Sequence, residues 1–163
     1  MKLSKKVVLL GHFGVGKTSL FRRFIDNEFS EDYKVTLGVQ IKKKVIELPN
    51  GKELSMIIWD TEGHTKIEDT RKSYLLGSTV FIYVFDLTRE NTYLDLDQDI
   101  QYLHKNHPKV ITKIIGNKLD LLNEKDTIKI LKEKNIKYDC LTSAKSNKNV
   151  QDFFLNLAKE ITA

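Results

Sequence analysis

An α/β sheet of six strands with about five covering helices is the fold class this chain predicts. Three observations lead there. Apolar, β-rich runs alternate with segments of helical period; one Asn-Gly pair joins two of the runs as a tight hairpin; and no repeat or Pro/Ser/Gly-rich linker divides the 163 residues, which read as a single domain over 1–163.

Taken in order, residues 7–10 (Val-Val-Leu-Leu) form a buried first strand. Residues 17–26 form a helix with Leu20, Phe21 and Phe24 on one stripe. Residues 38–48 and 53–60 are two strands. Pro49, Asn50, Gly51 and Lys52 lie between them, so this pair is antiparallel. Residues 80–85 are continuously apolar, the mark of a strand buried on both faces. A helix follows over 91–105 with Leu94, Ile100 and Leu103 inward, then a strand over 110–116, a short helix over 127–134 and a last strand over 137–141. Residues 150–161 close the chain as an amphipathic helix with Phe153, Phe154, Leu157 and Ile161 toward the core.

Composition excludes several classes. The net charge of +5, from 27 Lys+Arg against 22 Asp+Glu, is modest. Only Arg22, Arg23, Arg71 and Arg89 are arginines, so no guanidinium-rich face for nucleic acid is expected. Cys140 is the single cysteine, which leaves neither a disulfide nor a paired-thiolate metal site. No apolar run approaches the roughly 18 residues of a membrane span. Lys2 and the terminal Ala163 match neither a myristoylation nor a prenylation signal. The expectation is a soluble cytoplasmic monomer with no lipid anchor encoded.

Residues 11–18, Gly-His-Phe-Gly-Val-Gly-Lys-Thr, fit the phosphate-binding loop Gly-x4-Gly-Lys-Ser/Thr, and they lie between a predicted strand and a predicted helix. Glycines let backbone N–H groups and a helix N-terminus face phosphates. Lys17 adds a point charge, and the Thr18 hydroxyl is a hard oxygen suited to Mg²⁺. Residues 117–120, Asn-Lys-Leu-Asp, end a strand at the carboxyl edge of the sheet, where open α/β folds bind ligands. A carboxylate there accepts two hydrogen bonds from guanine that adenine does not offer, a discrimination worth up to ~10⁴–10⁵. Read alone, Asp120 would equally serve as a helix cap. Ser143, Ala144 and Lys145 follow the last strand, placed to offer a backbone N–H to the guanine carbonyl.

With Thr36 in Val-Thr-Leu-Gly-Val (35–39) and Asp-Thr-Glu-Gly-His (60–64), these ordered motifs resemble the small GTPases of the Ras superfamily, closest to the Rab branch, over essentially the whole chain. The resemblance implies a P-loop NTPase small G-domain: a six-stranded mixed sheet, five strands parallel and one antiparallel at an edge. It implies GTP and GDP as bound nucleotides and Mg²⁺ held by Thr18 and Thr36, with Asp60 acting through water. The phosphates would meet Phe13, Gly14, Val15, Gly16, Lys17, Thr18 and Ser19. Thr36 and Gly63 would sense the γ-phosphate, so that their loops order with the triphosphate and relax with the diphosphate. Phe29 would pack on the guanine edge and Tyr33 would lid the phosphates. Asn117, Lys118, Asp120, Ser143, Ala144 and Lys145 would hold the base. Catalysis would rest on Lys17, Thr36 and His64.

Three residues depart from the family pattern at the reaction centre. His64 stands where the family has a water-orienting Gln, and positioning is most of this chemistry. Phe13 fills a position usually small, where a ring would obstruct an arginine supplied by a partner; no arginine of the chain is evidently placed to substitute. Glu62 replaces a small residue, and would either help hold the metal, repel phosphate or turn to solvent. Slow hydrolysis is expected, with faster nucleotide release only where Glu62 weakens the magnesium site rather than turning to solvent. The alternative is a non-hydrolysing, GTP-bound interaction module of the same fold; a kinase or ATPase is disfavoured by Asp120. Ile41, Trp59 and Tyr74 fall where Rab-like proteins present a hydrophobic triad to effectors, and exchange factors and activating proteins would use the same switch surface. Lys42, Lys43 and Lys44 read as edge-strand lysines that deter pairing. His12, His104 and His107 carry no assigned chemistry.

Overall fold

A computed structural model describes residues 2–31 and 36–163. Six strands make one sheet in the order β2-β3-β1-β4-β5-β6. They are β1 (Lys2–Leu10), β2 (Val39–Glu47), β3 (Glu53–Thr61), β4 (Val80–Asp86), β5 (Ile111–Asn117) and β6 (Cys140–Leu141). All neighbours are parallel except β2 on β3, whose register runs from Val39 opposite Thr61 to Glu47 opposite Glu53. The turn between them has Gly51 at φ 77, a left-handed conformation that costs glycine nothing. Helices α1 (Lys17–Asp26) and α5 (Val150–Ile161) cover one face; α2 (Lys72–Leu75), α3 (Leu96–Asn106) and α4 (Glu124–Glu133) cover the other. None of the described helices is long and apolar enough to cross a membrane.

The period of two along a strand explains the unbroken apolar runs. In β1, Val7 and Leu9 join the α1/α5 core while Val8 and Leu10 join the opposite one. In β4, Val80, Ile82 and Val84 take the first side and Phe81, Tyr83 and Phe85 the second. The strand needs apolar residues at every position because each face is covered. On the α1/α5 side Phe24 stacks on Phe154, with centroids 4.1 Å apart and planes at 7°, and Phe153 meets Phe154 edge-on at 5.4 Å. Order reverses at β1, which has β3 on one side and β4 on the other; the loop after β1 therefore opens at a topological switch point.

Several boundaries differ from the sequence expectation. β1 begins at Lys2, because the half-exposed start of the strand still pairs with β3 from Lys2 opposite Glu53. The helix expected over 91–105 starts at Leu96, after a separate 3-10 turn at Glu90–Thr92. Leu96, Leu103 and the half-buried Ile100 make its inner stripe. Leu94 lies before the helix and is 65% exposed, which corrects its inward placement. α4 starts three residues early because the Asn123 side chain accepts from the Asp126 N–H. β6 is only two residues long. Lys42 and Lys44, two residues apart on the outer strand, lie 5.7 Å above the Phe21 and Phe24 rings of α1, so they shield that core as well as the edge.

Phe154→Ala should cost about 3–5 kcal/mol in urea unfolding, the cavity cost of a buried aromatic. Leu94→Ala should change stability by less than about 0.5 kcal/mol.

Candidate functional site

The loops that follow β1, β3, β5 and β6 surround a cavity of about 280 Å³. At one end it is bounded by the loop after β1. Gly14, Gly16, Lys17, Thr18 and Ser19 line it, and Gly16 at φ 100 has no room for a side chain: a Cβ would lie 2.2 Å from Asn117 Nδ2. Val15 does not line the cavity. Its side chain is buried in the core and its carbonyl accepts from Asn117 Nδ2 at 3.1 Å. The buried Lys17 ammonium donates to the carbonyls of Gly11 (3.1 Å) and His12 (3.0 Å) inside the loop. Desolvation pulls its pKa down to about 8, opposed by the nearby charge of Asp60.

Three oxygens converge beside Lys17. Thr18 Oγ1 donates to Asp60 Oδ2 at 2.7 Å and lies 2.6 Å from Thr36 Oγ1. Asp60 is fully buried, and its second oxygen has no partner among the described residues; burial raises its pKa, and the Thr18 bond and the charges of Lys17 and Arg22 oppose that rise. A buried carboxylate oxygen left unpaired beside two hydroxyls is a hard-oxygen set that fits Mg²⁺. Thr36 and Gly63 both reach the cavity wall.

At the far end stand Asn117, Lys118, Asp120, Ala144, Lys145 and Phe29. Ser143 lies behind them, its hydroxyl donating to Asp120 Oδ1 at 2.7 Å. Asn117 ties the two ends together: its Nδ2 holds the Val15 carbonyl, and its Oδ1 accepts from Thr142 Oγ1 (3.0 Å) and, at 3.4 Å, from the Ala144 N–H. Lys118, held at φ 70, donates to the Gly14 carbonyl at 2.8 Å and pairs with the buried Asp86 at 2.9 Å. Tyr33 lies outside the described residues.

Sequence reasoning missed four supports. Arg23, on α1, donates to the carbonyls of Ala144 (2.7 Å) and Lys145 (2.8 Å) and so fixes the last loop of the site. Glu31 pairs with Lys145 at 2.5 Å across the cavity mouth. Arg89 donates to the Phe13 carbonyl at 3.0 Å, which puts a guanidinium against the phosphate-loop backbone. Lys6 lies 3.7 Å over the Trp59 ring. Nothing in the sequence pairs these residues; only the fold does.

The departures from the family pattern also have definite places. The His64 ring is not in the cavity wall. It is buried against His12 and Tyr83, with centroids at 5.4 and 6.0 Å, while the His64 backbone N–H donates to the Gly11 carbonyl at 3.2 Å. Neither ring nitrogen has a hydrogen-bond partner among the described residues, and burial, then the charges of Lys17 and His12, lowers its pKa to about 3. The ring that the family pattern would use to orient water thus lies outside the cavity lining in this structure, and the His64 backbone is bridged to His12 in the loop after β1. Phe13 lines the cavity and crowds Gly63, where a Cβ would come within 2.5 Å of Phe13 Cα. Glu62 does not turn freely to solvent. Its Oε2 accepts from the Gly38 N–H at 3.3 Å, and its own N–H donates to the Gly38 carbonyl at 2.8 Å, linking the loops that carry Thr36 and Gly63.

Ile41 sits directly opposite Trp59 in the β2–β3 register, and the Trp59 and Tyr74 rings lie 6.3 Å apart. The three form one partly exposed apolar strip, with Ile41 48% exposed.

Comparison with known proteins gives consistent results. The profile of the Ras family matches residues 6–163. Relatives include GTP-binding protein YPT1 of Saccharomyces cerevisiae, 34% identical over 96% of this chain and 78% of its own length. Human Ras-related protein Rab-12 is 34% identical over 96% of this chain and 66% of its own length. Human Ras-related protein Rab-30 is 35% identical over 94% and 77%. The chain thus spans about two thirds of Rab-12 and somewhat more of the other two.

The His64 ring has a pH signature. A neutral ring with a folded pKa near 3 stabilises fully above its ordinary pKa of 6.5, and that contribution is lost as pH falls toward 3. Urea unfolding at pH 7 and pH 5 should show wild type losing about 2 kcal/mol more than His64→Leu, the linkage cost of one proton excluded from the fold. Equal losses would mean that the ring is solvated.

Proposed function

Because the chain belongs to the Ras family of small GTPases, in its Rab-like branch, we propose that it is a guanine-nucleotide switch: it binds GTP and GDP with Mg²⁺ and hydrolyses GTP slowly to GDP and phosphate. The observation that carries this reading is that Lys17–Thr18 and Asp120 stand at the two ends of one cavity. The spacing suits a purine held by its base at one end and its phosphates at the other.

At the phosphate end Lys17 would exchange its two loop carbonyls for phosphate oxygens. Its pKa near 8 keeps it mostly ammonium at neutral pH while making its departure from those carbonyls cheap. The N–H groups of residues 14–19, at the start of α1, would supply the rest of the cradle. Thr18, Thr36 and Asp60 would hold Mg²⁺, which supplies charge neutralisation at the phosphates when bound. Thr36 and Gly63 would read the γ-phosphate. The Glu62–Gly38 bonds tie the two reading loops, so that order in one is felt in the other.

At the base end Asp120 would accept from guanine's ring N–H and exocyclic amino group. Ser143 fixes which carboxylate oxygen is free, and Arg23 positions Ala144, whose weak 3.4 Å bond to Asn117 leaves its N–H available to the guanine carbonyl. Lys118, Lys145 and Phe29 would cover the base. In this family the nucleotide-dependent loops contact effectors, exchange factors and activating proteins; here Ile41, Trp59 and Tyr74 would be the contact strip.

Two placements support the slow-turnover reading: the His64 ring is packed away from the cavity, and Phe13 covers Gly63. The same placements favour, as a second reading, a GTP-loaded interaction module that does not turn over. Multiple-turnover phosphate release separates the two, since only a hydrolase releases more than one phosphate per chain.

Titration calorimetry with Mg²⁺ should show GDP and GTP binding with no measurable ATP binding. Asp120→Ala should weaken GDP by about 10²–10⁴-fold, the worth of two hydrogen bonds to a charged acceptor at about 1.5–3 kcal/mol each. Equal affinity for adenine and guanine nucleotides would overturn the assignment. Single-turnover hydrolysis should be unchanged within about twofold in His64→Ala; a loss of tenfold or more would return His64 to the reaction centre.

A further inference from the structure

A second, larger concavity of about 560 Å³ runs along β6 between α4 and α5. It lies at the opposite edge of the sheet from β2 and shares no residue with the Ile41–Trp59–Tyr74 strip. Its floor is apolar, made by Leu141, Phe153 and Leu157 with the half-buried Cys140. Its walls carry four carboxylates, Glu124, Asp139, Asp152 and Glu160, against one ammonium, Lys113.

The carboxylates are not equally committed. Glu160 pairs with Lys113 at 2.9 Å and Glu124 with Lys148 at 2.6 Å. Asp139 gives one oxygen to the Ile114 N–H at 2.7 Å and keeps the other. Asp152 makes no hydrogen bond or ion pair among the described residues and is exposed. Asp139 and Asp152 both face Cys140: after burial, their charges are the causes that push its thiol up. The groove is thus locally negative on a chain whose net charge is +5. Negative potential focused in a concave, apolar-floored site selects a cationic visitor, and it repels nucleic acid and anionic lipid.

We infer that this groove docks a cationic, partly apolar segment of a partner protein, with Lys or Arg side chains on Asp139 and Asp152 and an apolar side chain between them on Leu141 and Phe153. The size suits a short peptide stretch. Because the groove is remote from Thr36 and Gly63, docking there is independent of the nucleotide reading and of the effector strip. It would give the chain a constant attachment point beside a switchable one.

The test is fluorescence anisotropy on the full chain as purified, with a fluorescein-labelled hexapeptide of alternating lysine and leucine as the probe. The same peptide with glutamate in place of lysine is the control. The lysine peptide should bind saturably, and binding should weaken by about 5- to 10-fold in the double variant Asp139→Asn, Asp152→Asn. It should weaken again as salt rises from about 50 to about 300 mM, and it should be unchanged in Ile41→Ala. Both Asn side chains keep an acceptor, so the variant should melt like wild type. The proposal is overturned if the glutamate peptide binds as well, if the double variant binds undiminished, or if Ile41→Ala abolishes binding. It is overturned too if sedimentation shows the chain dimerising through this face in a manner sensitive to Asp152→Asn, which would assign the groove to a second copy.

Discussion

The site depends on one carboxamide. Asn117 ends β5 with its Nδ2 on the Val15 carbonyl and its Oδ1 on the Thr142 hydroxyl, and it is 2% exposed. Three loops from distant parts of the chain therefore meet on a single rigid group. An amide is suited to this because it donates at one end and accepts at the other in a fixed plane. Gly16 exists in its shadow, with no space for a Cβ against Asn117. A buried polar group hydrogen-bonded through both its donor and its acceptor end fixes a geometry more firmly than apolar packing of the same volume. Here it sets the distance between the phosphate-facing backbone and the carboxylate of Asp120.

Much of this was legible in the residues. The apolar runs gave the strands and Asn50-Gly51 gave the antiparallel pair. The spacing of residues 11–18 and 117–120 put both loops at the carboxyl edge of the sheet. These signals are local: they depend on period, turn chemistry and motif order. The Leu94 misplacement is also local in origin. Helical period was extended backward through a stretch that is a 3-10 turn, and two residues of slippage moved the inner stripe to Leu96. What could not be read is what depends on long-range juxtaposition. Arg23 meets Ala144 across 121 positions of chain, and Arg89 meets Phe13 across 76. Whether a residue such as His64 turns inward is decided by neighbours, His12 and Tyr83, that no spacing rule connects to it.

The departures at the reaction centre form one arrangement rather than three unrelated changes. Phe13 covers Gly63, His64 is packed under the same loop, and Glu62 joins that loop to Gly38. Each restrains the segment from Asp60 to His64 toward the sheet. The consequence is a cavity lined by the phosphate-loop and base-loop residues, with the His64 ring packed outside it.

The central claim is that Asn117 makes the phosphate loop and the base loop one mechanical unit. Hydrogen–deuterium exchange on Asn117→Ala tests it most directly. The account predicts faster exchange at the amides of both residues 14–18 and residues 143–145, while the amides of β4, at the centre of the sheet, keep their wild-type protection. Acceleration confined to residues 117–120, with the other two loops protected as before, would contradict it.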